Sequence, residues 1–165
     1  LDIPVTAVKE LREKCGGGIM ECRTALVEAD GDIDKAMEIL EAKSLVKAQK
    51  RSSRETSQGI IHTYIHMGRI GAMIMLNCET DFVAKTDEFK ELAHNIAMQV
   101  AAQCPVYLNP EDAPEGTEVD EMECLLTQPF IKDPQMTVKD LVIATIAKTG
   151  ENIKVGRFAR FALGE

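Results

Sequence analysis

Tryptophan is missing from this 165-residue chain, and aromatic residues make up only 4% of it. Any core must therefore be built from aliphatic side chains and from its eight methionines. No apolar run approaches the roughly 20 residues that a membrane-spanning helix needs, so no membrane attachment is expected. A basic stretch followed by an apolar one is absent from the start of the chain, which leads us to expect a cytoplasmic or already processed protein. Positive charge is in short supply, with 19 Lys and Arg against 27 Asp and Glu and a net charge of −8. Phosphate backbones demand clustered cations, so direct nucleic-acid binding is not expected. The five cysteines (Cys15, Cys22, Cys78, Cys104 and Cys124) are odd in number and contain no Cys-x-x-Cys. That pattern suits neither a disulfide framework nor a zinc site, and it predicts reduced thiols.

An apolar content of 45% with 28% charged residues is ordinary for a globular protein. The length allows one compact core and a small appended module. Residues 1–43 read as three short helices. Thr6 is the expected cap of the first, with Ala7, Val8 and Leu11 as its apolar stripe. Gly16-Gly17-Gly18 breaks it, and a second helix from about Ile19 to Ala29 follows. Asp30-Gly31 turns the chain, and Asp32 caps a third helix with Ile33, Ala36, Met37 and Leu40 inward. Residues 44–58, with Lys47, Lys50, Arg51 and Arg54 among polar side chains, read as a basic linker, helical at most in its first half.

From Gly59 the apolar period changes from helical spacing to two, and residues 59–165 read as an α+β core. Ile60 to Met67 and Ile70 to Leu76 form a β-hairpin with its tight turn at Gly68-Arg69. Asp87 to Gln103 is a helix with Phe89, Leu92, Ile96 and Val100 inward. Pro105 to about Pro134 is expected to be mostly irregular. Thr137 caps a last helix that ends at Gly150, and Ile153 to Phe161 close the fold as a strand in which Gly156 marks a bulge. The expected class is α+β: an N-terminal three-helix module, then an antiparallel sheet with helices on one face.

Little in the sequence asks for an enzyme. The three glycines follow no strand and precede no Gly-Lys-Ser/Thr, so phosphate-loop and dinucleotide fingerprints both fail. They instead expose Ile19 and Met20 at the start of the next helix, and flexible aliphatic and Met surfaces suit partner contacts. His62 and His66 have metal spacing only on a helix, and they lie on a strand, so no metal, cofactor or catalytic residue is assigned. A protein-interaction adaptor that uses the helical module, or a small thiol- or metal-dependent enzyme, are the rival readings.

The hairpin delivers Asn77-Cys78-Glu79-Thr80-Asp81-Phe82-Val83-Ala84-Lys85, expected to be a short anchored loop before the long helix. Phe82 either plugs that strand–helix corner or enters a partner's pocket. Leu76 to Lys85 resembles the central signature of the elongation factor Ts family, which exchanges nucleotide on the GTPase elongation factor Tu. Val8 to Leu26, read as Val-Lys-Glu-Leu-Arg-Glu-Lys-Cys-Gly-Gly-Gly-Ile-Met-Glu-Cys-Arg-Thr-Ala-Leu, resembles that family's N-terminal signature. Departures are Cys15 where Thr is usual, Arg23 where Lys is usual, Met75 where Glu is usual, and a trimmed stretch around Glu115 to Glu123.

The resemblance implies a ubiquitin-associated-like fold for the N-terminal module, which would bind the GTPase through Leu11, Arg12, Ile19 and Met20. It implies that Asp81 and Phe82 push between helices near the magnesium and phosphates, with Thr80 and Val83 holding the loop. It implies no covalent chemistry. Gly150-Glu151-Asn152-Ile153, with Arg157-Phe158 and Arg160-Phe161, resembles the closing strand of shorter family members. With one core subdomain instead of two, a homodimer is a further expectation.

Overall fold

A computed structural model describes residues 3–165. Helices α1 (Val5–Cys15), α2 (Ile19–Glu28) and α3 (Ile33–Arg51) open the chain. They close around a small core that includes Val8, Leu11, Cys22, Leu26, Ala36 and Leu40. Pro4, not Thr6, occupies the N-cap position of α1, and no side chain caps that end. The proline ring presets φ at −60°, so the helix starts two residues earlier than a Thr6 cap would dictate. Asp32 caps α3 as expected, its carboxylate accepting from the Asp34 and Lys35 amides.

Helix α3 does not stop near residue 43. It continues to Arg51, and Ala48 lies 8% exposed in the main core. Lys50 is exposed and Lys47 half-exposed, and Ala48, the one buried residue of this stretch, lets the helix pack closely. Strands β1 (Gln58–His66) and β2 (Ile70–Cys78) follow. Their turn is centred on Met67 and Gly68, at φ 50° and 66°, one residue earlier than expected. The Arg69 amide donates to the His66 carbonyl at 2.9 Å and closes it. A single helical turn, α4 (Asp81–Ala84), leads into α5 (Asp87–Gln103), which has the boundaries expected from its periodicity.

Two short 3-10 turns, Pro110–Asp112 and Glu121–Glu123, and a small ribbon of β3 (Pro129–Phe130) and β4 (Asp133–Thr137) occupy the irregular region. Its anchor is polar. Gln99 donates to Gln128 at 3.1 Å and accepts from the Ile131 amide at 2.9 Å, and both glutamines are wholly buried. Such a pair is tolerated in a core because its hydrogen bonds are met. Helix α6 (Val138–Thr149) carries a Thr137–Asp140 capping box and ends at Gly150, with φ 78°. Strand β5 (Ile153–Ala162) then completes an antiparallel sheet in the order β1-β2-β5. Met75 pairs with Arg157 and Leu76 with Val155, so Gly156 is the extra residue of a bulge, as the slip in alternation predicts.

The sheet has two unlike faces. Ala72, Ile74, Leu76 and Val155 point inward against Phe89, Leu92, Ile96 and Val100 of α5. Each large side chain so buried contributes roughly 1.5–3 kcal/mol. The outer face leaves Ile61, Ile65, Met73 and Phe161 exposed by 65%, 68%, 49% and 78%. The class is α+β, with the helices on one side of the sheet.

Candidate functional site

The end of β2 and the start of α5 are joined by a corner with little freedom. Thr80 sits in extended conformation at the N-cap of α4, and its hydroxyl oxygen accepts from the Val83 amide at 3.4 Å. What the sequence presents as a loop is therefore a turn of helix with Asp81 and Phe82 as its first two residues. A second cap follows at once: Thr86 accepts from the Phe89 amide and donates to the Val83 carbonyl at 2.8 Å. Two Thr caps six residues apart leave no slack between them, which is why the chain makes a tight helical step.

Burial within this turn is sharply divided. Ala84 is 6% exposed, and Val83 packs against the main core. Phe82, beside them, is 79% exposed. It does not plug the corner. Asp81 is also exposed and accepts from the Lys85 ammonium at 2.6 Å. That hydrogen bond and the lysine charge hold the Asp81 carboxyl below the ordinary aspartate value. The turn thus presents an aromatic ring next to a carboxylate, with its other side seated on the core.

A second layer of contacts fixes the corner from outside. The Glu151 carboxylate accepts from both the amide and the hydroxyl of Thr80, at 3.0 Å and 2.6 Å. The neighbouring Asn152 amide donates to Glu79 at 2.6 Å, and Arg54 approaches the same carboxylate at 3.5 Å. The Asn152 side chain, 2% exposed, donates to the carbonyls of Ser52 and Arg54 at 3.4 Å and 2.8 Å. The end of α3, the corner and the start of β5 therefore form one hydrogen-bonded unit. The Cys78 thiol donates to the Thr80 carbonyl at 3.1 Å, and burial pushes its pKa up, away from reactivity. Sequence reasoning assigned Glu151 and Asn152 only to the closing strand. Bonds spanning 71 to 100 residues leave no local trace, beyond two polar residues directly after a helix stop.

In the N-terminal module the expected contact residues separate. Ile19 and Met20 are 57% and 68% exposed, and Arg12 is exposed. Leu11 is a correction: it is wholly buried and shapes the module instead of offering a contact. Its place on the inward stripe of α1 made this legible, since one side chain cannot fill the core and also face a partner. An open groove of about 330 Å³ lies between α2 and α3, lined by Met20, Glu21, Thr24, Leu40, Lys43 and Lys47. Ion pairs Lys43–Glu28 and Lys47–Glu21 cross it.

Other candidate chemistry stays apart from this corner. His62 faces His94 at 3.3 Å between ring nitrogens. Among the described residues no group of three or more metal-ligating side chains comes together. No helix among them is long and apolar enough to cross a membrane.

Comparison with known proteins bears on the corner. A family profile described as elongation factor TS matches residues 30–123. The chain is 47% identical over 195 aligned positions to elongation factor Ts of Desulfosudis oleivorans, covering 99% of this chain and 98% of that protein. It is 46% identical to elongation factor Ts of Thermodesulfovibrio yellowstonii, over 99% of this chain and 97% of the other. For the Carboxydothermus hydrogenoformans protein of that name the identity is 48%, with coverages of 96% and 88%. An alignment of 195 positions against 165 residues leaves at least 30 positions with no counterpart in this chain.

Proposed function

This chain belongs to the elongation factor Ts family of translation elongation factors, and from that membership we propose that it is the guanine-nucleotide exchange factor of elongation factor Tu. It binds the GTPase in its GDP form and inserts Asp81 and Phe82 beside the magnesium and phosphates, and GDP leaves. The observation that carries this reading is Phe82, 79% exposed on a turn pinned from both sides. A flexible tip could fold its ring back onto the core, whereas this one holds the ring out.

The energetics are those of linkage. Burying a phenylalanine ring in a partner is worth roughly 1.5–3 kcal/mol. If that burial occurs only in the nucleotide-free GTPase, GDP affinity falls by the same free energy, about ten- to a hundredfold. Magnesium holds near-ideal octahedral geometry, so small displacements of its protein ligands weaken the phosphate site further. No bond is made or broken by the exchange factor itself. Cytoplasm, where translation elongation runs, is the setting of this reading.

A second contact comes from Arg12, Ile19 and Met20 on the helical module. In this division of labour residues 1–43 dock and the α+β core from about residue 59 works, joined by the C-terminal part of α3. The apolar outer face of the sheet supports a homodimer in which two such faces pair. Ile61, Ile65, Met73 and Phe161 on each copy make a self-complementary patch of the kind a two-fold interface requires.

Stopped-flow release of a fluorescent GDP analogue from elongation factor Tu tests the exchange. Wild-type protein should accelerate release, and Phe82→Ala and Asp81→Ala should blunt it while the chain stays folded. Binding to the GTPase without faster release would leave the adaptor reading in its place.

A further inference from the structure

Two thiols meet beneath the Ile19–Met20 edge of the helical module. Cys15 is the last residue of α1 and Cys22 lies in the first turn of α2, and their sulfurs are 3.5 Å apart. Cys22 is wholly buried, while Cys15 is half-buried and receives a hydrogen bond from the Gly17 amide at 3.3 Å. Gly17 also covers the pair closely. A Cβ there would stand 3.2 Å from the Cys15 sulfur and 3.5 Å from that of Cys22. A disulfide bond is about 2.05 Å long. Closing the gap takes a shift of roughly 1.5 Å shared between two side chains, with the tri-glycine turn between them to absorb it.

We propose that Cys15 and Cys22 are a reversible oxidation site, converted to an intramolecular disulfide by a hydroperoxide. The half-buried Cys15 is the sulfur an oxidant reaches. Its thiolate attacks the peroxide, the O–O bond breaks, and the leaving hydroxide takes the thiol's proton and departs as water. Cys15 is then a sulfenic acid. The Cys22 sulfur attacks it, the S–S bond forms as the S–O bond breaks, and the Cys22 proton leaves with the hydroxide as a second water. Two thiols lose two electrons and one hydrogen peroxide becomes two waters.

The two roles follow from the surroundings. Burial, and then the hydrogen bond with Cys15, push the Cys22 pKa up to about 11, so this thiol is a poor first nucleophile. Contact at 3.5 Å compensates in the second step, because a positioned group reacts as though at very high local concentration. A dithiol reductant reverses the bond by exchange. The bond ties the end of α1 to the turn that carries Ile19 and Met20.

The test is a peptide map after hydrogen peroxide treatment, in full-length protein carrying Cys104→Ser to remove the exposed thiol. Trypsin cuts after Lys14 and Arg23, so both cysteines fall in one peptide, Cys15–Arg23. The expected result is that this peptide loses two hydrogens and both alkylation sites together, and that dithiothreitol restores them. In Cys22→Ser, Cys15 should stop at a sulfenic acid that dimedone traps. The proposal is overturned if Cys15 proceeds to sulfinic acid while Cys22 remains open to alkylation. It is overturned equally if both thiols survive peroxide that has already oxidised Met20. None of these readouts involves elongation factor Tu, so failure here is distinct from failure of the exchange reading.

Discussion

Replacing Glu151 with alanine removes the acceptor of two hydrogen bonds from Thr80, at 3.0 Å and 2.6 Å, without touching any residue of the exposed turn. Hydrogen bonds to a charged group contribute about 1.5–3 kcal/mol each, and solvent screening at this partly exposed site discounts the pair to about 2 kcal/mol. The freed Thr80 can turn its hydroxyl away from the Val83 amide, so the first turn of α4 loses its cap as well. If the turn must stand in one orientation to insert, about 2 kcal/mol of lost preference lowers the competent fraction and cuts maximal exchange roughly 10- to 30-fold. Glu151→Gln keeps the shape: its carbonyl oxygen can accept from the Thr80 amide while its NH2 donates to the Thr80 hydroxyl oxygen, so it should recover most of the rate.

The assay is stopped-flow GDP release over a range of exchange-factor concentrations, which separates the maximal rate from half-saturation. Urea unfolding runs beside it. Thr80→Ala, Glu151→Ala and the double variant form a cycle whose coupling should approach about 1 kcal/mol, because each single change already breaks the hydroxyl–carboxylate bond. Glu151→Ala that lowers stability but leaves the maximal rate within twofold would refute the reasoning. Glu151 would then be holding the fold together and nothing more.

Phe82→Ala should leave the urea midpoint nearly unchanged, since a ring 79% exposed contributes little to the fold, about 0.5 kcal/mol or less, while exchange falls about tenfold or more. Met73→Glu with Phe161→Glu puts like charges on the outer sheet face and should give a monomer by light scattering at micromolar concentration; a monomeric wild type with full exchange activity would remove the homodimer from the picture. Gly59 has φ 150°, and a Cβ there would stand 2.1 Å from the Leu76 carbonyl oxygen, so Gly59→Ala should cost about 2 kcal/mol or more, read as a lower urea midpoint. Burial first, and the charge of His94 second, lower the His62 pKa below 6.5. The unfolded chain then binds the extra proton as pH falls, so stability is full above about pH 6.5 and declines below it until the folded value is passed. His62→Gln should flatten that slope between pH 7.5 and 5.5.

Elements with strong periodicity and punctuation were legible. Asp87 to Gln103 has a Thr before it and an unbroken apolar stripe, and the helix has those ends. Thr137, Gly150 and the bulge at Gly156 were likewise written in residue types that have few other uses. The passage of α3 into the main core was not legible, because the larger apolar residues beside Ala48, Leu45 and Val46, are exposed, and one buried alanine is no pattern. At the corner, the family signature pointed to Thr80 to Val83. The carboxylate that pins Thr80 lies 71 residues away, on the far side of a helix, and only the fold brings it there.

Helix α3 belongs to both cores, so it also acts as a gauge between them. Its 19 residues at 1.5 Å each span about 28 Å. An inserted alanine after Glu41 would advance one end by about 1.5 Å and swivel it by about 100°. Ile19 and Met20 would then turn relative to Phe82, with every side chain of both cores retained. Seven inserted residues would nearly restore the angle and lengthen the span by about 10.5 Å. A partner held at both ends, as proposed, would read the number of residues in α3 as closely as their identity.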